Sequence, residues 1–161
     1  LLGVPVPVWL AALAFVIGWV MLRYTRFGRY IYAAGDHEDA ARLLGLKVDR
    51  VLIATYAISG LLAALAGIVL AGRLGAGQPV AGNGYELDAI AAVVVGGTLL
   101  SGGQGGVAST AVGVLLLGVI FNLFNLEGTI TPWWQGVLRG VFHLGVVVVQ
   151  ARLQKRAAHE H

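Results

Sequence analysis

The sequence contains no cysteine, so no disulfide braces the chain and no thiolate site can hold a metal. Charge is nearly as scarce. Asp, Glu, Lys and Arg make up 12% of 161 residues, about half of the ~25% usual in a soluble domain. The shortage is also clustered: residues 52–71 carry no charge, and residues 89–126 carry none over 38 positions. A helix at the edge of a soluble core keeps one polar face, and these runs have none, which excludes a soluble fold with a large core. A basic groove with interleaved stacking aromatics is missing as well, which excludes nucleic acid as a partner. Glu86, Asp88 and His143 lie too far apart in the topology to form an enzyme site within a membrane. His159 and His161 are too sparse for a metal site. No catalytic residue, metal or cofactor is expected.

What is abundant is apolar sequence, 58% of residues, and glycine, 24 of 161 against a usual ~7%. Apolar runs fall at about 4–22, 51–71, 82–100, 107–126 and 132–149. Each is near the ~20 residues that cross a ~30 Å hydrocarbon layer as a helix. The expected fold is all-α: a polytopic transmembrane bundle of about five spans, embedded in a lipid bilayer. Pro5 and Pro7 suit a first helical turn, and Trp9, Trp19, Tyr24, Trp133 and Trp134 suit the two interfaces. The third run, 82–100, has a short apolar centre bounded by glycine, so it either crosses or dips back. Crossing brings the basic tail after Gln150 to the same side as the basic loop, and the charge pattern favours that. Ser59, Gly60, Ala63, Ala64 and Gly67 predict a close helix contact. Residues 96–106 hold six glycines but no following Lys-Ser/Thr, so they read as a tight, closely packed turn built on Gly96, Gly97, Gly102 and Gly103 rather than a phosphate loop. Asn122 and Asn125 need polar partners, either on a neighbouring helix or on a polar substrate in the pathway. His143 reads as a packed polar residue. The chain opens on Leu1 in apolar sequence with no basic stretch before it, so a signal peptide is not expected and a piece of a longer protein is.

The exception to all this is residues 23–50, RYTRFGRYIYAAGDHEDAARLLGLKVDR. Arg23, Arg26, Arg29, Arg42, Lys47 and Arg50 are six of the 11 basic residues in the chain. Basic residues clustered at the ends of two spans predict a cytoplasmic loop, and with it a cytoplasmic C-terminus. Within the loop a short helix is expected over 37–44. Asp36 would cap it, Asp39 would sit near its positive end, and Gly45 would stop it in a left-handed turn. Ala40 and Leu44 share a face, with Ala41 beside them. So short a helix is marginal alone and must be held by contacts. It reads either as a connector capping its own bundle or as a helix gripped by a partner protein.

Several stretches carry a resemblance over nearly the whole chain: Phe27-Gly28-Arg29-Tyr30, Ala34-Gly35, residues 38–45 (EDAARLLG), residues 84–98 (GYELDAIAAVVVGGT) and Ser101-Gly102-Gly103. Together they resemble the C-terminal half of the membrane permease of bacterial ABC sugar importers, of the ribose and simple-monosaccharide type. The resemblance implies a multi-pass protein of the bacterial inner membrane, paired with a second permease subunit. It implies a periplasmic sugar-binding protein outside and a cytoplasmic ABC ATPase inside. Helix 37–44 would be the coupling helix docked on that ATPase, with Ala40, Ala41 and Gly45 permitting a close fit. Leu43 and Leu44 would supply apolar contact, and Glu38 and Asp39 would pair with basic groups of the partner. Branched-chain amino-acid ABC permeases compete for the substrate class, and the 84–97 run favours the sugar type. A truncated, non-transporting membrane scaffold is the other alternative. The chain departs from the family at His37, commonly Asn; at Ser109, often Gly; and at Phe121-Asn122-Leu123, where a polar Asn-Asn-Gly run is usual.

Overall fold

The computed structural model describes residue 3 and residues 5–126, with side chains through residue 123, and six further helical positions between 137 and 148. Six α-helices fill the continuous part, and no strand occurs among the described residues: α1 (Val6–Tyr24), α2 (Arg26–Asp36), α3 (Glu38–Leu43), α4 (Val48–Leu74), α5 (Tyr85–Val95) and α6 (Val107–Leu126). The protein is an all-α helical membrane bundle, as its composition implies. Among the described residues, two helices are long and apolar enough to cross a membrane. These are α1, of 19 residues, and α4, of 27, which at 1.5 Å per residue reach roughly 28 and 40 Å. Their outward faces carry Val16, Ile17, Ile53, Leu61 and Ile68, all exposed, as a lipid-facing surface requires.

The chain divides into two compact units, each described by itself. One contains residues 1–83 and 101–107, the other residues 84–100 and everything from 108 onward. In the first, α2 packs on α1 and α4, and α3 packs on α2 and α4. Thr25 makes the corner between α1 and α2. Its hydroxyl donates to the Met21 carbonyl at 2.6 Å and accepts from the Gly28 amide at 3.2 Å, finishing one helix and capping the next. Such a cap is worth about 1 kcal/mol. Gly28 is required there, because a Cβ would lie 2.6 Å from the backbone of Leu22.

In the second unit, Ala91, Ala92 and Leu117 form the buried cluster, and Phe121 packs against it. The helices meet at glycine. A Cβ on Gly96 would lie 2.6 Å from the Ser109 carbonyl oxygen, and one on Gly113 would run into the carbonyl of Ala92.

Several expectations need correction. Residues 23–50 are not a loop with one short helix: α2 occupies residues 26–36, started by the Thr25 cap. Asp36 ends α2 instead of capping α3, and the N-cap position belongs to His37, which makes no side-chain capping bond. The helix expected over 37–44 spans Glu38–Leu43. The run at 82–100 forms a helix of only 11 residues, roughly 16 Å long, too short to cross a ~30 Å layer by itself. The Gly60–Gly67 stripe meets no close neighbour among the described residues: a Cβ on either glycine would find open space. Of the span expected at 132–149, Val137, Gly140, Val141, Leu144, Gly145 and Val148 are helical. The rest, with Trp133, Trp134, His143 and the basic tail, lies outside the described residues.

Candidate functional site

The candidate site is α3 and the two turns that hold it. Six residues cannot sustain a helix in water, so both ends need outside support. At its start, Glu38 and Asp39 sit in the first turn, where negative charge offsets the unpaired amides. At its end the chain closes in a Schellman motif. The Leu46 amide donates to Ala41 O at 3.1 Å, and the Gly45 amide donates to Arg42 O at 2.9 Å. Gly45 has φ +81°, the left-handed region predicted for it, which a side chain would oppose.

A charged clamp completes the support. Arg42 donates to Glu38 one turn earlier at 2.8 Å, and across the Gly45 turn it binds Asp49 at 2.6 Å and 3.3 Å. Its hydrogen bonds to Asp49, then to Glu38, hold the guanidinium pKa above its ordinary value. All three groups are solvent-exposed, so the clamp adds little stability. Its effect is geometric: it fixes the rotation of α3 against the first turn of α4.

That rotation sorts the predicted docking residues. Ala41 points inward and is 2% exposed, as buried as Val48 at the start of α4. Its small side chain lets α3 sit close on the bundle and is not part of an outward surface. Leu43 and Leu44 point outward, 89% and 82% exposed, and Ala40 and Gly45 are exposed with them. Two leucines left in water beside a charged clamp form an apolar patch that nothing in the described chain covers. Glu38 is engaged by its own Arg42, whereas Asp39 makes no ion pair among the described residues.

The glycine turn comes to the same neighbourhood, since residues 101–107 belong with the first unit. Tyr32 Oη donates to the Gly105 carbonyl at 2.8 Å. A Cβ on Gly35 would lie 3.1 Å from the Gly103 nitrogen, and one on Gly102 would run into the Gly35 carbonyl. Gly97, Gly102 and Gly103 all have positive φ, and Gly96 ends α5. The loop therefore packs backbone against backbone on the last turn of α2. Sequence reasoning missed α2, Tyr32, Arg42 and Asp49. The Glu38–Arg42 spacing of four was a legible signal. The Arg42–Asp49 and Tyr32–Gly105 pairs were not, because each depends on a turn bringing distant residues together.

Asn122 lies on α6 with its side chain exposed; Asn125 is in the last turn of α6, and its side chain lies outside the described residues. No group of three metal-ligating side chains occurs among the described residues.

A family profile described as "Branched-chain amino acid transport system / permease component" matches residues 3–147. The chain is similar to the ribose import permease protein RbsC of Escherichia coli (strain K12), 49% identical over 153 residues, which is 95% of this chain and 47% of that protein. The ribose import permease protein RbsC of Bacillus subtilis (strain 168) is 50% identical over 151 residues, 94% of this chain and 47% of that protein. The xylose transport system permease protein XylH of Escherichia coli (strain K12) is 44% identical over 155 residues, 96% of this chain and 39% of that protein. The chain thus spans about half the length, or less, of the curated relatives it matches. No solved structure matches it.

Proposed function

This chain belongs to the branched-chain amino acid transport system / permease component family, and on that premise we propose that it is the C-terminal part of the membrane permease of an ATP-driven importer for a simple monosaccharide. The observation that carries the proposal is the outward pair Leu43 and Leu44 on a helix pinned to the bundle by Arg42 and Ala41. An apolar patch on a rigid, short helix is what a partner needs in order to push on a bundle. Identities of 44–50% to ribose and xylose permeases support the sugar class. Arg23 in the last turn of α1 and Arg26 and Arg29 in α2, with Lys47 and Arg50 at the start of α4, support a cytoplasmic position for α3.

In this mechanism the chain performs no bond-making chemistry and is not an enzyme. ATP binding draws two cytoplasmic ATPase domains together, and their surfaces carry α3 with them. The Arg42–Asp49 clamp and the Gly45 turn pass that displacement to α4, a helix of 27 residues. A second permease subunit completes the pathway, which opens to the two sides in turn, and a periplasmic sugar-binding protein delivers the substrate. Asn122 and Asn125 are the candidate polar contacts along that pathway.

A cysteine at Leu43 tests this reading against a background free of native cysteine. In native membranes it should crosslink to the ABC ATPase with a yield that changes with ATP. A Leu43→Cys protein that reacts only with reagents applied from outside would overturn the topology. A cytoplasmic, reactive Leu43→Cys without ATPase contact would favour a non-transporting scaffold. The wording of the family description keeps a branched-chain amino-acid substrate as the second reading. ATP-dependent uptake of labelled leucine that labelled ribose and xylose fail to match would establish it.

A further inference from the structure

We infer that the loop at residues 101–106 is a second transmission point of the importer: a tie, seated on the end of α2, that carries movement of α3 into α5 and α6. The inference rests on the importer reading above. It begins from a contact between segments 73 residues apart in sequence, the bond from Tyr32 Oη to the Gly105 carbonyl. Beside it, Gly35 and Gly102 touch backbone to backbone, and a Cβ on Gly103 would lie 3.0 Å from the Asp36 Cβ. Tyr32, Gly35 and Asp36 all lie in the C-terminal part of α2, and only His37 separates that helix from α3. The residues that seat the loop are therefore the ones α3 would pull first.

Chain continuity supplies the rest. The loop runs forward into α6 at Val107 and back through residues 96–100 into α5. A displacement of α3 then has two exits. One leads through Arg42 and Asp49 into α4. The other leads through α2 and the seated loop into α5 and α6. Backbone-to-backbone contact suits the second task, because no rotamer lies between the two surfaces to absorb a small shift. A turn that merely closed the chain would need neither the Tyr32 bond nor glycine opposite glycine.

The test is sugar moved per ATP hydrolysed, measured on the complete importer in proteoliposomes. Gly102→Val forces the loop off the Gly35 carbonyl and should lower the ratio about tenfold while ATP hydrolysis continues, the scale of a typical coupling between sites. Tyr32→Phe removes one hydrogen bond, leaves the fold intact and should lower the ratio about threefold. The tie is overturned if both broken-seat variants keep the wild-type ratio, because the seat then only packs. Failure of the importer reading itself is distinguishable, since the unmodified protein would then show no ATP-driven sugar uptake at all.

Discussion

Two parts of this protein, α2 and α3 with their flanking turns in one unit and the α5–α6 contact in the other, are held mainly by different means. The first uses polar devices: the Thr25 cap before α2, the Schellman closure at Gly45 and the Arg42 clamp. The second uses shape: Gly96 and Gly113 let two apolar helices approach until backbone meets backbone, over Ala91, Ala92 and Leu117. The difference follows the solvent. In water a short helix must satisfy its terminal amides and carbonyls, and exposed charges adjust at little cost. In hydrocarbon there is no hydrophobic drive between helices, so close approach and dispersion have to suffice. Polar junctions should therefore fail gradually, and steric ones abruptly.

The largest effect is expected at the steric junction. Gly113→Val drives two methyl groups toward the Ala92 carbonyl and should cost about 3 kcal/mol, the upper part of the overpacking range. Thermal aggregation of the detergent-solubilised protein would read this as a clearly lowered midpoint; an unchanged midpoint would mean the helices do not pack as described. At the polar junction, Leu43→Asp should leave that midpoint unchanged, since the side chain is 89% exposed. It should weaken ATPase docking by about tenfold in a pull-down titration, as loss of one apolar contact residue can.

Gly45→Ala places a Cβ at φ +81° in open space, so the cost is conformational alone, about 1 kcal/mol. Hydrogen exchange of the α3 amides should quicken accordingly, and Gly45→Asn should recover much of the loss. If alanine and asparagine behave alike, the left-handed turn is not what limits α3. The smallest effect belongs to the clamp. Arg42→Gln and Asp49→Asn should each loosen α3 slightly, and the double variant should be no worse than Arg42→Gln alone. High salt should mimic them in the unmodified protein. Additive losses would show that the two residues act independently.

Membrane character and the left-handed glycine at 45 were legible in the sequence, because each is a local or compositional property. Charge-free runs cannot be soluble surfaces, and a glycine closing a run of helix formers has few other uses. The approximate place of α3 was legible for the same reason. Its cap was not: Asp36 and His37 both suit the position, and the choice fell with α2, which extends through Asp36 because Thr25 starts it. The short reach of α5 was also hidden, since residues 82–100 are apolar enough to continue and only the glycine turns on either side end the helix.

Local chemistry along the chain was thus enough to say that this protein is an all-α membrane bundle and to place a short helix near residues 37–44. Which side of that helix faces outward needed the folded chain. Ala40 and Ala41 are adjacent and chemically identical, yet one is exposed and the other is 2% exposed. The Arg42–Asp49 bridge and the packing of α3 on α2 and α4 set that rotation. The seating of the 101–106 loop on α2 was decided the same way. Contacts between residues 73 positions apart depend on how the intervening helices are arranged, and no local pattern encodes that arrangement.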